Sequence, residues 1–135
     1  MLTTMTSRDN GGAEAGAGSR RSSCPVACTL DLVGDRWTLL VIRDLLTGSK
    51  RYGDLLASEE HIPTNILAAR LKRLERAGLL ERVAYSDHPP RYDYRLTPKG
   101  RGLGRAIDAL ATWGLAHVAG TVRTMPRLDE LTSAD

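Results

Sequence analysis

The sequence contains no phenylalanine, and two tryptophans and four tyrosines bring the aromatic residues to only 4 % of the chain. A hydrophobic core must therefore be built mostly from leucine, valine, isoleucine and alanine. No apolar run reaches the length needed to span a bilayer, and the first residues lack the apolar segment of a secretory signal. Two cysteines are too few for a disulfide scaffold, so we expect a reducing cytoplasmic location.

The remaining composition is that of an ordinary globular protein. The 135 residues correspond to one domain, with 26 % charged and 41 % hydrophobic residues. The formal net charge is +3 and the isoelectric point is near 9.1. A mild excess of base does not identify a nucleic-acid ligand, so the position of the basic residues along the chain decides the question.

Composition also sets the expected domain limits. Residues 1–23 are rich in glycine, alanine and serine and lack apolar periodicity, which predicts a disordered tail. Arg20 and Arg21 are interpreted as solvated parts of that tail rather than as phosphate contacts. Apolar periodicity is lost again after about residue 124, so residues 24–124 form the predicted domain and residues 125–135 are expected to fray.

Apolar residues at helical spacing predict four helices in the first part of the domain. Proline is favoured in the first position of a helix, which places Cys24 at the N-cap of the first one. Asp35 is a suitable cap for the second helix, and Gly78 is a natural stop for the fourth. The predicted helices run from Pro25 to Gly34, from Asp35 to Gly48, from Tyr52 to Ala57 and from Thr64 to Ala77.

The periodicity then changes from helical spacing to alternation, which predicts a β-hairpin before a long closing helix. Val83 and Tyr85 alternate with polar neighbours in one strand, as do Tyr92 and Tyr94 in the other. Residues 86–91 contain two adjacent prolines, so we expect them to form the loop. The fold class predicted from this order is mainly α (α+β), a winged helix-turn-helix with an extra helix at each end.

The helix over residues 64–77 has two chemically different faces. Its leucines, Leu67, Leu71 and Leu74, cluster within one narrow arc when residues are placed at intervals of about 100°. The opposite arc begins with short polar groups and continues with basic ones, an arrangement suited to base edges and phosphates in a major groove. The predicted DNA-contacting residues of this helix are Thr64, Asn65, Ala69, Arg70, Lys72, Arg73 and Arg76.

Two further basic elements flank this helix in the sequence. Lys50 and Arg51 precede the short helix that would meet the DNA backbone, and His88 and Arg91 lie at the tip of the hairpin. A basic face that is simply solvated is the alternative for any one of these elements alone. Three basic elements in this order favour sequence-specific binding of double-stranded DNA.

Three segments of the chain carry a family resemblance. They are CPVACTLDLVGDRWTLLVIRDLLTGSKRYGDLL, IPTNILAARLKRLERAGLLER and PPRYDYRLTPKGRGL. From Cys24 to about Leu103 the sequence resembles the HxlR-type regulators, bacterial winged-helix proteins related to the MarR regulators. Tyr52 stands where that family commonly has phenylalanine. The resemblance implies a homodimer that binds an inverted-repeat operator, with the first and last helices in the dimer interface.

The closing helix, from Thr97 onward, supports a dimer independently, because it is more apolar than a surface helix of so small a domain requires. The alternative is that its apolar stripe folds back on its own domain. The predicted interface residues of the two terminal helices are Val26, Leu30, Leu103, Ile107, Leu110, Trp113 and Val118.

Cys24 is the candidate redox sensor. A thiol at a helix N-cap faces unsatisfied N–H groups and the positive end of the helix dipole, which favour the thiolate. Some HxlR-type relatives carry a reactive cysteine at the matching Cys-Pro position. A thiol that packs or caps without reacting is the alternative, and Cys28 is assigned to packing. The Cys-x₃-Cys spacing, with the histidines in three different elements, does not match a metal site, so no metal or cofactor is predicted.

Competing functions differ in their sequence features. An enzyme is not expected, because the chain has no glycine-rich phosphate loop and no nucleophile elbow. A winged-helix protein-interaction module would tend to lose the basic residues of the fourth helix and the hairpin. For a DNA-binding regulator, repressor or activator, the sequence leaves open an oxidant, a small-molecule ligand or no effector at all. We expect a cytoplasmic, nucleoid-associated protein without membrane contact.

Overall fold

The structure is a computed structural model that describes residues 20–48 and 50–131. It divides into two compact units, with the boundary after Leu39. Most of the predicted disordered tail, residues 1–19, and the end of the segment expected to fray, residues 132–135, lie outside the described residues. Over the described ranges, no helix is both long and apolar enough to cross a membrane.

In the first unit, helix α1 (Pro25–Val33) begins where the sequence predicts. Cys24 is the N-cap residue in an extended conformation, Pro25 lies at the helix start, and Gly34 follows the last turn. The backbone N–H of Gly34 donates to the carbonyl of Leu30 at 2.7 Å, which closes the helix. The predicted limits of this helix are confirmed.

Helix α2 (Thr38–Leu45) is capped by Asp35, as predicted. The carboxylate Oδ2 accepts the backbone N–H groups of Trp37 at 3.1 Å and of Thr38 at 3.2 Å, which satisfies two donors at the helix start. The hydroxyl of Thr38 also donates to Asp35. The helix is shorter than predicted at both ends. Residues 36–37 form a turn after the cap, so the helix begins at Thr38, and it already ends at Leu45, before Gly48.

The second unit contains the winged helix-turn-helix that the sequence predicts. Its further elements are β1 (Lys50–Arg51), α3 (Tyr52–Leu56), α4 (Thr64–Arg76), β2 (Leu80–Asp87), β3 (Pro90–Leu96), α5 (Pro98–Arg101), α6 (Gly104–His117) and α7 (Leu128–Leu131). The strands form one antiparallel sheet in the order β1-β3-β2. Strand β1 is only two residues long, and the sequence does not predict it.

The wing, defined as the hairpin of β2 and β3, has a tighter turn than expected. We expected residues 86–91 to form the loop, but the strand pairing continues to Asp87 and Pro90. Only His88 and Pro89 remain in the turn. Proline fits at the start of β3 because the first residue of a strand does not have to donate to the ladder. The prediction of a long loop is therefore wrong.

The closing helix is two helices rather than one. Helix α5 is a single turn, and the Thr97 hydroxyl caps it by accepting the N–H of Gly100 at 3.2 Å. A turn at Gly102 and Leu103 separates it from α6, which begins at Gly104. Glycine has a low helix propensity, so three glycines within this short stretch favour the break.

The C-terminal end also differs from the prediction. We expected residues 125–135 to fray, but Leu128–Leu131 form α7, which contacts α6. Leu131 is buried, and the guanidinium of Arg123 pairs with Asp108 on α6. A buried leucine and an ion pair to a distant residue hold this segment, and neither contact is visible as a sequence pattern.

The core of the second unit consists of aliphatic side chains, as the lack of phenylalanine predicts. The buried hydrophobic residues of this unit are Val41, Ile42, Leu45, Leu46, Leu55, Ile62, Leu67, Leu71, Leu74, Leu79, Leu80, Leu96, Ile107 and Leu131. Helix α4 supplies three of them. Its leucine side is thereby anchored, and its other side is left accessible.

Candidate nucleic-acid interface

Helix α4 has the two faces that the sequence predicts. Leu67 and Leu74 are at most 1 % exposed and Leu71 is also buried, so one side of the helix is fixed in the core. The exposed members of the predicted DNA-contacting set on this helix are Thr64, Asn65, Ala69, Lys72 and Arg76. A slim polar start followed by cations matches what a helix in a major groove requires.

Arg70 and Arg73 differ from the rest of that set. Both residues are half-buried, and both take part in interactions within the chain. This burial agrees with the predicted flanking position of Arg70. Arg73 was expected on the arc opposite the leucines, and its partial burial places it nearer the edge of that arc, so its contact with DNA stays a prediction. The exposed cations of α4 are therefore Lys72 and Arg76.

The first turn of α4 is held by the preceding helix. The hydroxyl of Tyr52, the first residue of α3, donates to the carbonyl of Thr64 at 2.8 Å. A phenylalanine ring at this position has no donor for this bond. The sequence shows the tyrosine but not the role of its hydroxyl, because the acceptor is a backbone atom 12 positions away.

An ion network fixes the turn between α3 and α4. The guanidinium of Arg43 on α2 forms a bidentate pair with the carboxylate of Glu60, at 2.9 and 2.8 Å. The hydroxyl of Ser58 donates to Asp44, the neighbour of Arg43. The hydrogen bonds from Arg43 lower the pKa of Glu60, and the same bonds raise the pKa of Arg43. The turn that leads into α4 is thus tied to α2.

The basic pair before α3 belongs to the wing sheet as well, because β1 pairs with β3. The ammonium of Lys50 donates to the hydroxyl of Thr47 at 3.0 Å. The guanidinium carbon of Arg51 lies 4.0 Å from the ring centroid of Tyr85, and its Nε lies 3.4 Å from a carboxylate oxygen of Asp93. The side chain of Arg51 nevertheless remains mostly exposed.

At the tip of the wing, His88 and Arg91 are exposed, as a DNA contact requires. Closer to its base, the guanidinium of Arg82 on β2 lies 4.5 Å from the ring centroid of Tyr92. The Nε of Arg82 also lies 3.5 Å from a carboxylate oxygen of Glu75 on α4. These contacts tie the wing to α4, and the sequence does not single out Arg82 because its partners come from two other elements.

The thiol of Cys24 is exposed at the start of α1, and both cysteines are free. The backbone N–H groups of Ala27 and Val26 lower the pKa of this thiol. Cys28 is half-buried, and its Sγ donates to the carbonyl of Ser22 at 3.2 Å. In the described part of the chain, no group of three or more histidine, cysteine, aspartate or glutamate residues could hold a metal ion.

Helix α6 presents large apolar side chains to solvent. Leu110 is 56 % exposed and Trp113 is 60 % exposed, and Val118, the residue after the helix, is also exposed. Leu103 is half-buried, whereas Ile107 is only 6 % exposed. Ile107 therefore belongs to the core of its own unit, which corrects its predicted place in the dimer interface.

Helix α1, in the first unit, also exposes apolar residues. Val26 and Leu30, both predicted for the dimer interface, are exposed. They are accessible to a partner chain, and their role in an interface stays a prediction.

The model of the HxlR-like helix-turn-helix family matches residues 32–121, which are two thirds of the chain. The chain belongs to this family. The match includes α3, α4 and the wing, so the HxlR-like region contains the whole predicted DNA-contacting set. The predicted membership is thereby confirmed.

Curated relatives are named as regulators. An uncharacterised HTH-type transcriptional regulator of Mycobacterium tuberculosis is 47 % identical over 89 residues, covering 66 % of this chain and 56 % of that protein. The chain thus spans about half the length of the mycobacterial relatives it matches. YdeP of Bacillus subtilis, also named an HTH-type transcriptional regulator, is 35 % identical over 111 residues, covering 82 % and 81 %. The HxlR-like family is therefore one of transcriptional regulators and not of enzymes.

Solved structures share the fold. A protein described as a MarR-family transcriptional regulator from Porphyromonas gingivalis W83 has a TM-score of 0.67 at 32 % identity, covering 74 % of this chain and 98 % of that one. The redox regulator HypR in its oxidised form has a TM-score of 0.64 at 31 % identity, covering 70 % and 97 %. Quinone-bound YodB from B. subtilis has a TM-score of 0.59 at 31 % identity, covering 69 % and 99 %. These likenesses confirm the HxlR-like, MarR-related winged-helix fold.

Proposed function

We propose that this chain regulates transcription by binding an inverted-repeat operator as a homodimer, with α4 of each protomer in successive major grooves. The observation that carries the proposal is that α4 has a buried apolar face and an exposed polar face. Its leucines are buried, while Asn65, Lys72 and Arg76 are exposed. Polar groups near the helix start suit base edges, and the cations further along suit phosphates. Membership of the HxlR-like family supports the same activity.

The exposed apolar side of α6 is the proposed dimer contact. Leu110, Trp113 and Val118 expose large apolar groups to solvent, and burying them against a second chain is favourable. Two-fold symmetry of the protein would match the two-fold symmetry of an inverted repeat. Such a dimer presents two copies of α4 to one operator.

Selection of bound fragments from the source genome tests the proposed function. We expect the enriched fragments to share an inverted repeat with half-site centres about one helical turn, 10–10.5 bp, or a multiple of it, apart. Sedimentation of the complex should give two chains per operator. The logarithm of the affinity should fall linearly with the logarithm of the salt concentration, by roughly 0.9 for each phosphate neutralised.

A scrambled fragment of the same length is the control. Equal affinity for the operator and the scrambled fragment, or an affinity that salt does not change, would contradict the proposal and favour a protein-interaction module. A stoichiometry of one chain per operator would contradict only the proposed dimer and not the proposed DNA binding.

We also infer that Cys24 makes the regulator responsive to oxidants. The thiol is exposed, and neighbouring backbone N–H groups lower its pKa, which favours the reactive thiolate. Two structural neighbours at about 30 % identity are a redox regulator and a quinone-bound protein. Hypochlorous acid would convert the Cys24 thiolate to a sulfenic acid with release of chloride, and an electrophilic quinone would add to the sulfur.

Replacement of Cys24 by serine is expected to preserve operator binding and to abolish its release by hypochlorite or quinone. Fluorescence anisotropy of labelled operator measures the release, and mass spectrometry identifies the modified cysteine. Cys28→Ser is the matched control, because that half-buried thiol is assigned to packing, and it should respond as the parent does. If the parent stays bound under oxidant, or if Cys24→Ser releases DNA like the parent, Cys24 is not the sensor.

A further inference from the structure

Three strands contribute to a contact around Arg51 on the wing sheet. Arg51 lies on β1, and Asp93 lies directly opposite on β3. Tyr85 lies on β2, where the pairing register shifts between Ala84 and Ser86. Because β3 is the middle strand, the Arg51 side chain reaches across it to the ring of Tyr85. Tyr85 lies two positions after Val83, which is paired with Asp93, so strand alternation places the two side chains on the same face of the sheet.

This contact leaves the hydrogen-bonding groups of Arg51 accessible. The guanidinium carbon of Arg51 lies over the ring of Tyr85, 4.0 Å from its centroid, and the N–H donors of arginine lie in the plane of the guanidinium group. Nε makes the close approach to Asp93, and the two terminal nitrogens carry four further N–H groups. Since the side chain is mostly exposed, a phosphate can reach those groups.

The contacts that hold the Arg51 side chain before DNA binds should favour a higher affinity. A free arginine side chain loses rotamer freedom when it binds a phosphate, and a side chain that is already held loses less. Arg51 precedes α3, the first helix of the helix-turn-helix, and that helix crosses the DNA backbone in complexes of this motif. The restrained guanidinium therefore lies immediately before the helix that is expected to meet phosphates.

We propose that Tyr85 is a positioning residue for DNA binding, whose ring holds the Arg51 guanidinium in the orientation that contacts a backbone phosphate. The proposal rests on the proposed DNA-binding function. Asp93 restrains the same group from a second side. The wing then contributes to binding through Tyr85 and Asp93, which hold Arg51, as well as through its tip at His88 and Arg91.

A double-mutant cycle on operator affinity tests this proposal. Tyr85→Leu is expected to weaken operator binding about three- to fivefold, which corresponds to the strength of a cation–π contact at an exposed site. Tyr85→Phe keeps the ring and should bind as the parent does. In an Arg51→Ala background, Tyr85→Leu should have no further effect, because its whole effect acts through Arg51.

Salt titration separates positioning from direct contact. Arg51→Ala removes a phosphate contact, so its log–log salt slope should be less negative by roughly 0.9. Tyr85→Leu should leave the slope of the parent unchanged, because the arginine still reaches the phosphate. Val83→Ala is the matched control, since Val83 lies on the same strand and is 38 % exposed against 39 % for Tyr85. It should bind as the parent does.

A second variant covers the case in which Tyr85→Leu does not fold. Arg51→Lys leaves Tyr85 in place but removes the planar guanidinium group that lies over the ring, so it should also weaken binding. Parental affinity of folded Tyr85→Leu, parental affinity of Arg51→Lys, or an equal loss from Tyr85→Leu with and without Arg51 would overturn the proposal. Failure of the parent to select any operator would overturn the proposed function instead.

Discussion

Alanine at both Lys72 and Arg76 is expected to weaken operator binding on the order of 100-fold at physiological salt. Both side chains are exposed on the side of α4 opposite the buried leucines, so their removal changes charge without opening a cavity. A contact to a phosphate or a base edge is worth about 1–3 kcal/mol, and two such contacts account for the expected factor. Fluorescence anisotropy across a salt series measures the affinity, and the slope should become less negative by roughly 1.8 if both contacts are to phosphates.

The matched control removes the same number of charges elsewhere. Arg105 on α6 and Arg127 before α7 are both exposed, and the Arg105→Ala/Arg127→Ala variant has the same net charge as the α4 variant. Exposed charges far from the bound DNA are screened by salt, so its affinity should stay within about twofold of the parent. A comparable loss in both variants would show a general charge effect and would contradict the assignment of α4.

Gly100→Ala is expected to lower the free energy of unfolding by about 3 kcal/mol. A Cβ atom at this position would lie 2.0 Å from the carbonyl oxygen of Leu79 and 3.1 Å from a methyl carbon of Leu96. That carbonyl already accepts the backbone N–H of Thr97 at 3.1 Å, so it cannot move away without weakening the hydrogen bond. Denaturant unfolding at fixed protein concentration measures the change.

The same substitution at Gly53 on α3 should have the opposite sign. A Cβ atom there would meet nothing within 4 Å, and alanine has the higher helix propensity. Gly53→Ala is therefore expected to match the parent or to exceed its stability by up to about 1 kcal/mol. Equal stability of the two variants would show that the close approach of Gly100 to Leu79 is not the reason why a glycine occupies position 100.

Local chemistry explains why the α4 face could be predicted from the sequence. The leucines of α4 recur at helical spacing, and Gly78 takes the positive φ of 79° that follows this helix. Asp35, which caps α2, is likewise a residue type that caps helices. Each of these features depends on residues only a few positions apart. The winged-helix order and the exposed polar side of α4 follow from such features.

Contacts between distant segments account for what the sequence did not reveal. Strand β1 forms because β3 offers hydrogen-bonding partners to Lys50 and Arg51. Helical spacing places Ile107 and Leu110 one turn apart but does not say which of them a neighbouring element covers. In the structure Ile107 is buried and Leu110 is exposed. The contact between Arg51 and the ring of Tyr85 has the same origin, because it depends on the order of the strands in the sheet.

The junction between β1 and α3 couples the wing to the helix that precedes α4. Since β1 continues directly into α3 while it pairs with β3, a tilt of α3 is transmitted to the hairpin through backbone hydrogen bonds. The eight residues of β2 form a lever arm of about 26 Å. A rotation of about 5° at the base of such an arm would displace its end by about 2 Å. That displacement exceeds the tolerance of a hydrogen bond, so a contact between the tip of the wing and a phosphate would be lost without local unfolding.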